Sequence, residues 1–185
     1  MVVLFRELER LRDRGKRTIV AIEGRCASGK STLAAKIKKR LGLPVVHMDH
    51  FFLRPEQRTG ERYAQPGGNI DHERFCAEVL VPLSEGRGPV YRPYSCKTGE
   101  LGEPIALEPS PMVVVEGSYS CHPALWDYYD RRVFLTVDPD EQLRRIAGRD
   151  GPERVQDFRK RWIPLEERYF SAYKVEDRCD YHLEL

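Results

Sequence analysis

Lys30 and Ser31 close the run Gly24-Arg25-Cys26-Ala27-Ser28-Gly29-Lys30-Ser31-Thr32, in which two glycines with four residues between them precede a lysine and a hydroxyl. Glycines let a backbone turn tightly enough to aim successive N–H groups at phosphate oxygens. The lysine of such a loop reaches the β and γ phosphates, and the hydroxyl after it faces Mg²⁺. The residues from Gly24 to Thr32 are therefore expected to hold the phosphates of ATP, with Mg²⁺ beside Ser31. Two carboxylates, Asp49 and Glu116, each follow a short apolar run directly. Glu116 is placed to serve the metal with Ser31, directly or through water, and Asp49 to orient a substrate hydroxyl and accept its proton. Taken singly, Asp49 has a lesser reading as a helix cap and Glu116 as a strand-end ion pair, and both weaken beside the loop. Arg145 and Arg149 stand four residues apart, so on a helix both guanidiniums leave one face and close over phosphates as a lid does. A metal-bound triphosphate, a positioned nucleophile and positive charge at the transferring group are what phosphoryl transfer requires.

These groups need a scaffold that delivers strand ends to one place. The apolar run at 20–22 supplies a strand before the loop, and Leu33, Ile37 and Leu41 recur every four residues after it, which marks a helix. Further short apolar runs at 45–48, 112–115, 132–137 and 180–185 read as strands. Strands alternating with helical stretches predict an α/β chain of the P-loop NTPase type: a five-stranded parallel sheet with helices on both faces. Ligands of such sheets gather at the carboxyl ends of the strands, where Lys30, Asp49 and Glu116 fall. Leu4, Phe5, Leu8 and Leu11 share a helical face. Helices are also predicted over 71–83, from Asp138 or Asp140 to Arg149, and over 152–174. Trp162, Tyr169, Phe170 and Tyr173 sit at near-helical spacing and read as core. The stretch from about 50 to 111, with its Pro-Gly-Gly and Gly-Arg-Gly-Pro turns, is expected to cover the substrate, and about 145–165 to form the lid.

The chain has 185 residues, enough for one substantial core, and 1–185 reads as a single domain. Its 31 Lys and Arg against 29 Asp and Glu leave a net charge of +2, which gives no footprint of bulk nucleic-acid binding and fits a small anionic ligand. Five cysteines, at 26, 76, 96, 121 and 179, form no C-x-x-C pair. Reduced thiols and a cytoplasmic location are the expectation. No signal-peptide core and no run of membrane-spanning length is present in the sequence. Oligomeric state is not legible.

These residues resemble the phosphoribulokinase and uridine kinase family of P-loop kinases over most of the chain. The loop is similar to that family's G-x-S-x-S-G-K-[ST], with Arg25 unusual in it. Met48-Asp49-His50-Phe51-Phe52 resembles its strand-end motif with the catalytic Asp, and 69–75 its N-x-D-H-P-x-x-F segment. Val113-Val114-Val115-Glu116-Gly117 looks like its apolar run ending in Glu-Gly, and Arg145 with Arg149-Asp150 like its lid. By that resemblance Asp71 contacts sugar hydroxyls and Tyr91 sits beside the substrate base. The likeness departs at 91–97: Arg92 stands where uridine kinases carry an Asp, Cys96 lies near the place of a base-reading His, and Ile70 replaces an aromatic residue.

The resulting expectation is an ATP-dependent, Mg²⁺-assisted kinase for a hydroxyl of a small metabolite, with uridine or cytidine the leading acceptor. Nicotinamide riboside, pantothenate, glycerate and sugars are alternatives, since a base is selected by satisfied polar pairs. A nucleotide-binding module without turnover is the reading from another class. A GTPase switch lacks its N/T-K-x-D motif here.

Overall fold

The computed structural model describes all 185 residues. Strands β1 (Thr18–Gly24), β2 (Val45–His47), β3 (Met112–Glu116), β4 (Arg131–Thr136) and β5 (Tyr181–Glu184) form a five-stranded sheet in the order β2-β3-β1-β4-β5, all pairs parallel. Parallel neighbours need long crossovers. Helix α1 (Val2–Asp13) precedes β1, and the crossovers carry α2 (Lys30–Leu41), α3 (residues 72–84), α4 (Pro139–Asp150) and α5 (residues 155–173). Between β2 and β3 the chain carries α3 and two short antiparallel ladders, Val90–Tyr91 with Ile105–Ala106 and Tyr94–Ser95 with Glu100–Leu101.

Alternation along β1 divides the core. Val20 and Ile22 pack with Leu4, Leu8, Leu33 and Ile37 of α1 and α2, while Ile19 and Ala21 pack on the other side with Phe134, Tyr169 and Phe170. Period two sends neighbouring side chains to opposite faces, and both are buried, so every β1 residue is apolar or satisfied. Glu23 is the exception in type. Its fully buried carboxylate accepts the Gly24, Tyr119 and Cys121 N–H groups and the Tyr169 hydroxyl at 2.9 to 3.0 Å, while burial pushes its carboxyl up to about 7.

Two glycines let the strand ends approach. Gly24 has φ +141°, and a Cβ there would run into the Leu135 carbonyl of β4; at Gly117, φ +138°, it would press on Met48 at 2.8 Å. Asp138 caps α4, accepting the Asp140 and Glu141 N–H groups at 3.0 and 3.1 Å, which decides between the two candidate helix starts. Within α5, residues Phe158–Trp162 form a π turn. Tyr169 and Phe170 are buried as expected, whereas Trp162 is only half-buried and lies on a cavity wall, so its core assignment is corrected.

A stacked histidine pair lies beside this core: His122, 8% exposed, faces His72 at 4.0 Å between ring centres. Burial, followed by the charges of His72 and Arg62, pushes His122 down to about 3, with Glu73 opposing them. The unfolded chain binds a proton near the ordinary value of about 6.5 and the folded chain does not, so this site removes stability as pH falls from about 6.5 toward 3. His122→Asn keeps an acceptor for the Ala124 N–H, which His122 Nδ1 accepts at 3.3 Å. Denaturant titrations between pH 4 and 7 are expected to give the variant a shallower loss of stability on acidification; parallel curves would refute this.

Candidate active site

Register brings the chemistry together. Glu116, at the end of β3, pairs with Ile22 of β1 on one side and His47 of β2 on the other. The loop after β1 then turns into α2 through Gly29, whose φ of +98° and missing side chain leave the N-terminus of α2 uncapped. The free N–H groups and positive dipole end of a helix so exposed form a site for an anion. Lys30 Nζ donates to the Gly24 and Arg25 carbonyls at 2.7 and 2.8 Å, curling over the loop.

A cavity of about 800 Å³ opens at this edge. It is large enough for a nucleotide and a small acceptor together. Its walls include Lys30, Ser31, Asp49, Glu116, Arg145 and Arg149, six side chains from four separated segments. Ser31 Oγ lies 3.1 Å from a Glu116 carboxylate oxygen. Two hard oxygen donors side by side at the phosphate loop suit Mg²⁺, which takes few protein ligands and completes its shell with phosphate oxygens and water. No cluster of three or more His, Cys, Asp or Glu competes as a self-sufficient metal cage. His47 Nδ1 also meets Glu116, at 2.5 Å, and that contact raises the His47 pKa.

Asp49 follows β2 by two residues, on the one-turn helix Met48–Phe51, with its Oδ1 3.5 Å from where a Gly117 side chain would begin. It is open to the cavity yet surrounded by protein atoms. That desolvation raises its carboxyl above the usual value, opposed by Lys30, Arg149 and His47 and aided by Glu116. A base with a raised pKa and an open side accepts a hydroxyl proton more readily than an ordinary aspartate does.

The two lid candidates both sit on the last turns of α4, as their spacing requires. Arg145 is held by Glu141 at 2.7 Å and reaches the Ala27 carbonyl at 3.3 Å; Arg149 pairs with Asp150 at 2.7 Å. In the loop, Cys26, Ala27, Gly29 and Thr32 also line the cavity, while Gly24, Arg25 and Ser28 stand behind it. The Arg25 side chain turns away to Glu167, and burial raises the Cys26 thiol, which stays neutral.

Asp71 and Tyr91 are placed differently. Asp71 is buried, caps α3 through the Arg74 N–H at 3.1 Å and accepts Gln57 Nε2 at 2.8 Å; Tyr91 is buried against Phe51, its hydroxyl pushed up to about 12 by desolvation. Neither is on the cavity wall. The cavity wall also includes Phe52, Asn69, Cys96 and Tyr119, with Phe158 and Trp162 from α5. Tyr119 is held at φ +71°, a conformation rare for a bulky residue and concentrated at working sites. Arg92 is spent on the backbone, donating to the Gly102 and Leu101 carbonyls at 2.8 and 3.0 Å.

No helix is long and apolar enough to cross a membrane. No family model matches the chain. Curated relatives do. The chain is 31% identical over 152 residues to the uridine kinase of Shewanella piezotolerans, covering 74% of this chain and 70% of that protein. It is 28% identical over 149 residues to the uridine kinase of Macrococcus caseolyticus, covering 75% and 71%. Among solved structures, a possible uridine kinase from Bacillus stearothermophilus superposes with a TM-score of 0.70 over 91% of this chain and 89% of its own, at 21% identity. That last likeness concerns the fold.

Proposed function

Because this chain belongs to the phosphoribulokinase and uridine kinase family of P-loop kinases, we propose that it transfers the γ-phosphoryl group of ATP to a hydroxyl of a small acceptor, a nucleoside of the uridine or cytidine kind in the first instance. The observation that carries this reading is the meeting of Lys30, Ser31, Asp49, Glu116, Arg145 and Arg149 around one cavity. Losing any one of the first four would suffice to end catalysis, and all are present.

In the reaction, the acceptor oxygen forms a bond to the γ phosphorus while the bond to the β–γ bridging oxygen breaks and ADP leaves. Asp49 orients the hydroxyl and takes its proton. The loop N–H groups and Lys30 hold the β and γ phosphates, and Arg145 and Arg149 exchange their carboxylate partners for developing charge on the transferring group. Ser31 and Glu116 would hold Mg²⁺, which when bound neutralises phosphate charge.

A second acceptor class is favoured by one specific feature. Arg92 is engaged by the Leu101 and Gly102 carbonyls and Cys96 presents a thiol, so neither supplies the polar pair that family members use to read a pyrimidine. The discriminating experiment is ATP consumption with Mg²⁺ across uridine, cytidine, nicotinamide riboside, pantothenate, glycerate and sugars, with Lys30→Ala as blank. Turnover on pyrimidine nucleosides is the expected result. Turnover elsewhere alone would move the acceptor, and none above the blank would leave a binding module.

A further inference from the structure

The phosphate loop is gripped from behind by a carboxylate that belongs to none of the motifs. Glu166, on α5, is 5% exposed and forms part of the cavity wall. Its Oε2 accepts the Cys26 N–H at 2.9 Å, and its Oε1 accepts the Ser118 hydroxyl at 2.6 Å. Ser118 follows Glu116 and Gly117, and its hydroxyl lies 3.2 Å from the Gly24 carbonyl, to which Lys30 Nζ also donates. The next residue of α5 repeats the grip: Glu167 takes the Arg25 guanidinium at 2.7 and 3.1 Å, over the rings of Phe134 and Phe170. Consecutive carboxylates of one helix thus hold consecutive residues of the loop. The same helix also carries Phe158 and Trp162 to the cavity wall.

We propose, on the premise of the phosphoryl-transfer reading, that Glu166 is a positioning residue for the donor phosphates: by bonding Cys26 and Ser118 at once it fixes the loop against α5 and the end of β3 in the form that receives a triphosphate. The physical need is plain. Residues 26–29, Cys-Ala-Ser-Gly, carry little apolar surface to anchor them, and a mobile loop loses affinity to the entropy of ordering. A charge-assisted bond to a loop N–H removes part of that loss in advance. Both oxygens of Glu166 are already engaged, so the carboxylate acts as a strut. The rival arrangement is a carboxylate that occupies the place of a phosphate oxygen and must be expelled.

Calorimetric binding of the non-hydrolysable analogue adenylyl imidodiphosphate with Mg²⁺ separates the two. Glu166→Ala is expected to weaken binding about tenfold, and Glu166→Gln, whose amide still accepts the Cys26 N–H and donates to Ser118, to recover most of it. Ser118→Ala should lose less than Glu166→Ala, and the double variant less than the sum, because both changes open the same link. Tighter binding in either Glu166 variant would overturn the strut in favour of the expelled carboxylate. Unchanged affinity with a lowered Tm alone would reduce Glu166 to a packing residue and overturn it equally. Should Glu166→Ala fail to fold, the Gln and Ser118 variants carry the same comparison. Failure of the unmodified protein to bind the analogue overturns the phosphoryl-transfer reading itself, a result distinct from binding that is indifferent to Glu166.

Discussion

Lys30→Ala is expected to lower phosphoryl transfer on the order of 10³-fold and leave the fold standing. The ammonium sits at the mouth of the loop, and its two bonds in the structure go to the Gly24 and Arg25 carbonyls. Removing it costs the fold those two bonds, about 1 kcal/mol each at most, and the Gly24 carbonyl still has the Ser118 hydroxyl 3.2 Å away. A modest fall in Tm follows. The cost to the reaction is of another size. As the γ phosphoryl group transfers, negative charge shifts toward the β–γ bridging oxygen, and a cation held beside it in a water-poor site stabilises that charge far more than one in solvent does. Steady-state rates with saturating ATP, read beside a thermal melt, check both halves. A variant with normal turnover would end the assignment of residues 24–32 as the phosphate loop, and an unfolded one would show Lys30 to be structural.

What was legible in the sequence, and what was not, divides along the range of the interaction. The strands, the loop, the helix after it and the cap at Asp138 are local: their signals lie within a few residues of the structure they form, and each appears where expected. Glu116 and Ser31 were also recognisable, because a strand end and a loop motif have fixed places in a parallel sheet. The pairs that join distant segments were hidden. Glu166 meets Cys26 across 140 positions, and Glu167 meets Arg25 across 142; nothing in Leu165-Glu166-Glu167-Arg168 distinguishes these carboxylates from a solvated helix face. His47 escaped for the same reason, since its tie to Glu116 depends on the pairing of β2 with β3. Trp162 failed differently. A π turn adds a residue to the helix and rotates what precedes it by about 100° relative to the 3.6-residue period, so Trp162 and Tyr169 cannot be placed on one face by counting. Asp71 and Tyr91 rest on resemblance alone; Asp71 caps α3, Tyr91 packs on Phe51, and neither lines the cavity.

The role of Asp49 is the point on which the chemistry turns, and Asp49→Asn divides its two candidate roles. The substitution keeps the shape of the side chain and its place beside Gly117 while removing the acceptor of the hydroxyl proton. If Asp49 is the base, turnover should fall on the order of 10²- to 10⁴-fold, the usual contribution of a positioned general base, while affinity for MgATP stays within about threefold. The structure favours this outcome because Ser31 and Glu116 already supply a pair of oxygens at 3.1 Å, leaving Asp49 on the cavity wall outside that pair. Removing its charge beside Lys30 and Arg149 also relieves repulsion of the incoming phosphates, so nucleotide binding has reason to hold or improve. Calorimetry with MgATP, paired with single-turnover rates, reads the two effects separately. A parallel loss of MgATP binding would transfer Asp49 to the metal's surroundings and leave the proton acceptor to be found among the other groups of the cavity; Glu166, with both oxygens engaged by Cys26 and Ser118, would be poorly placed to take over.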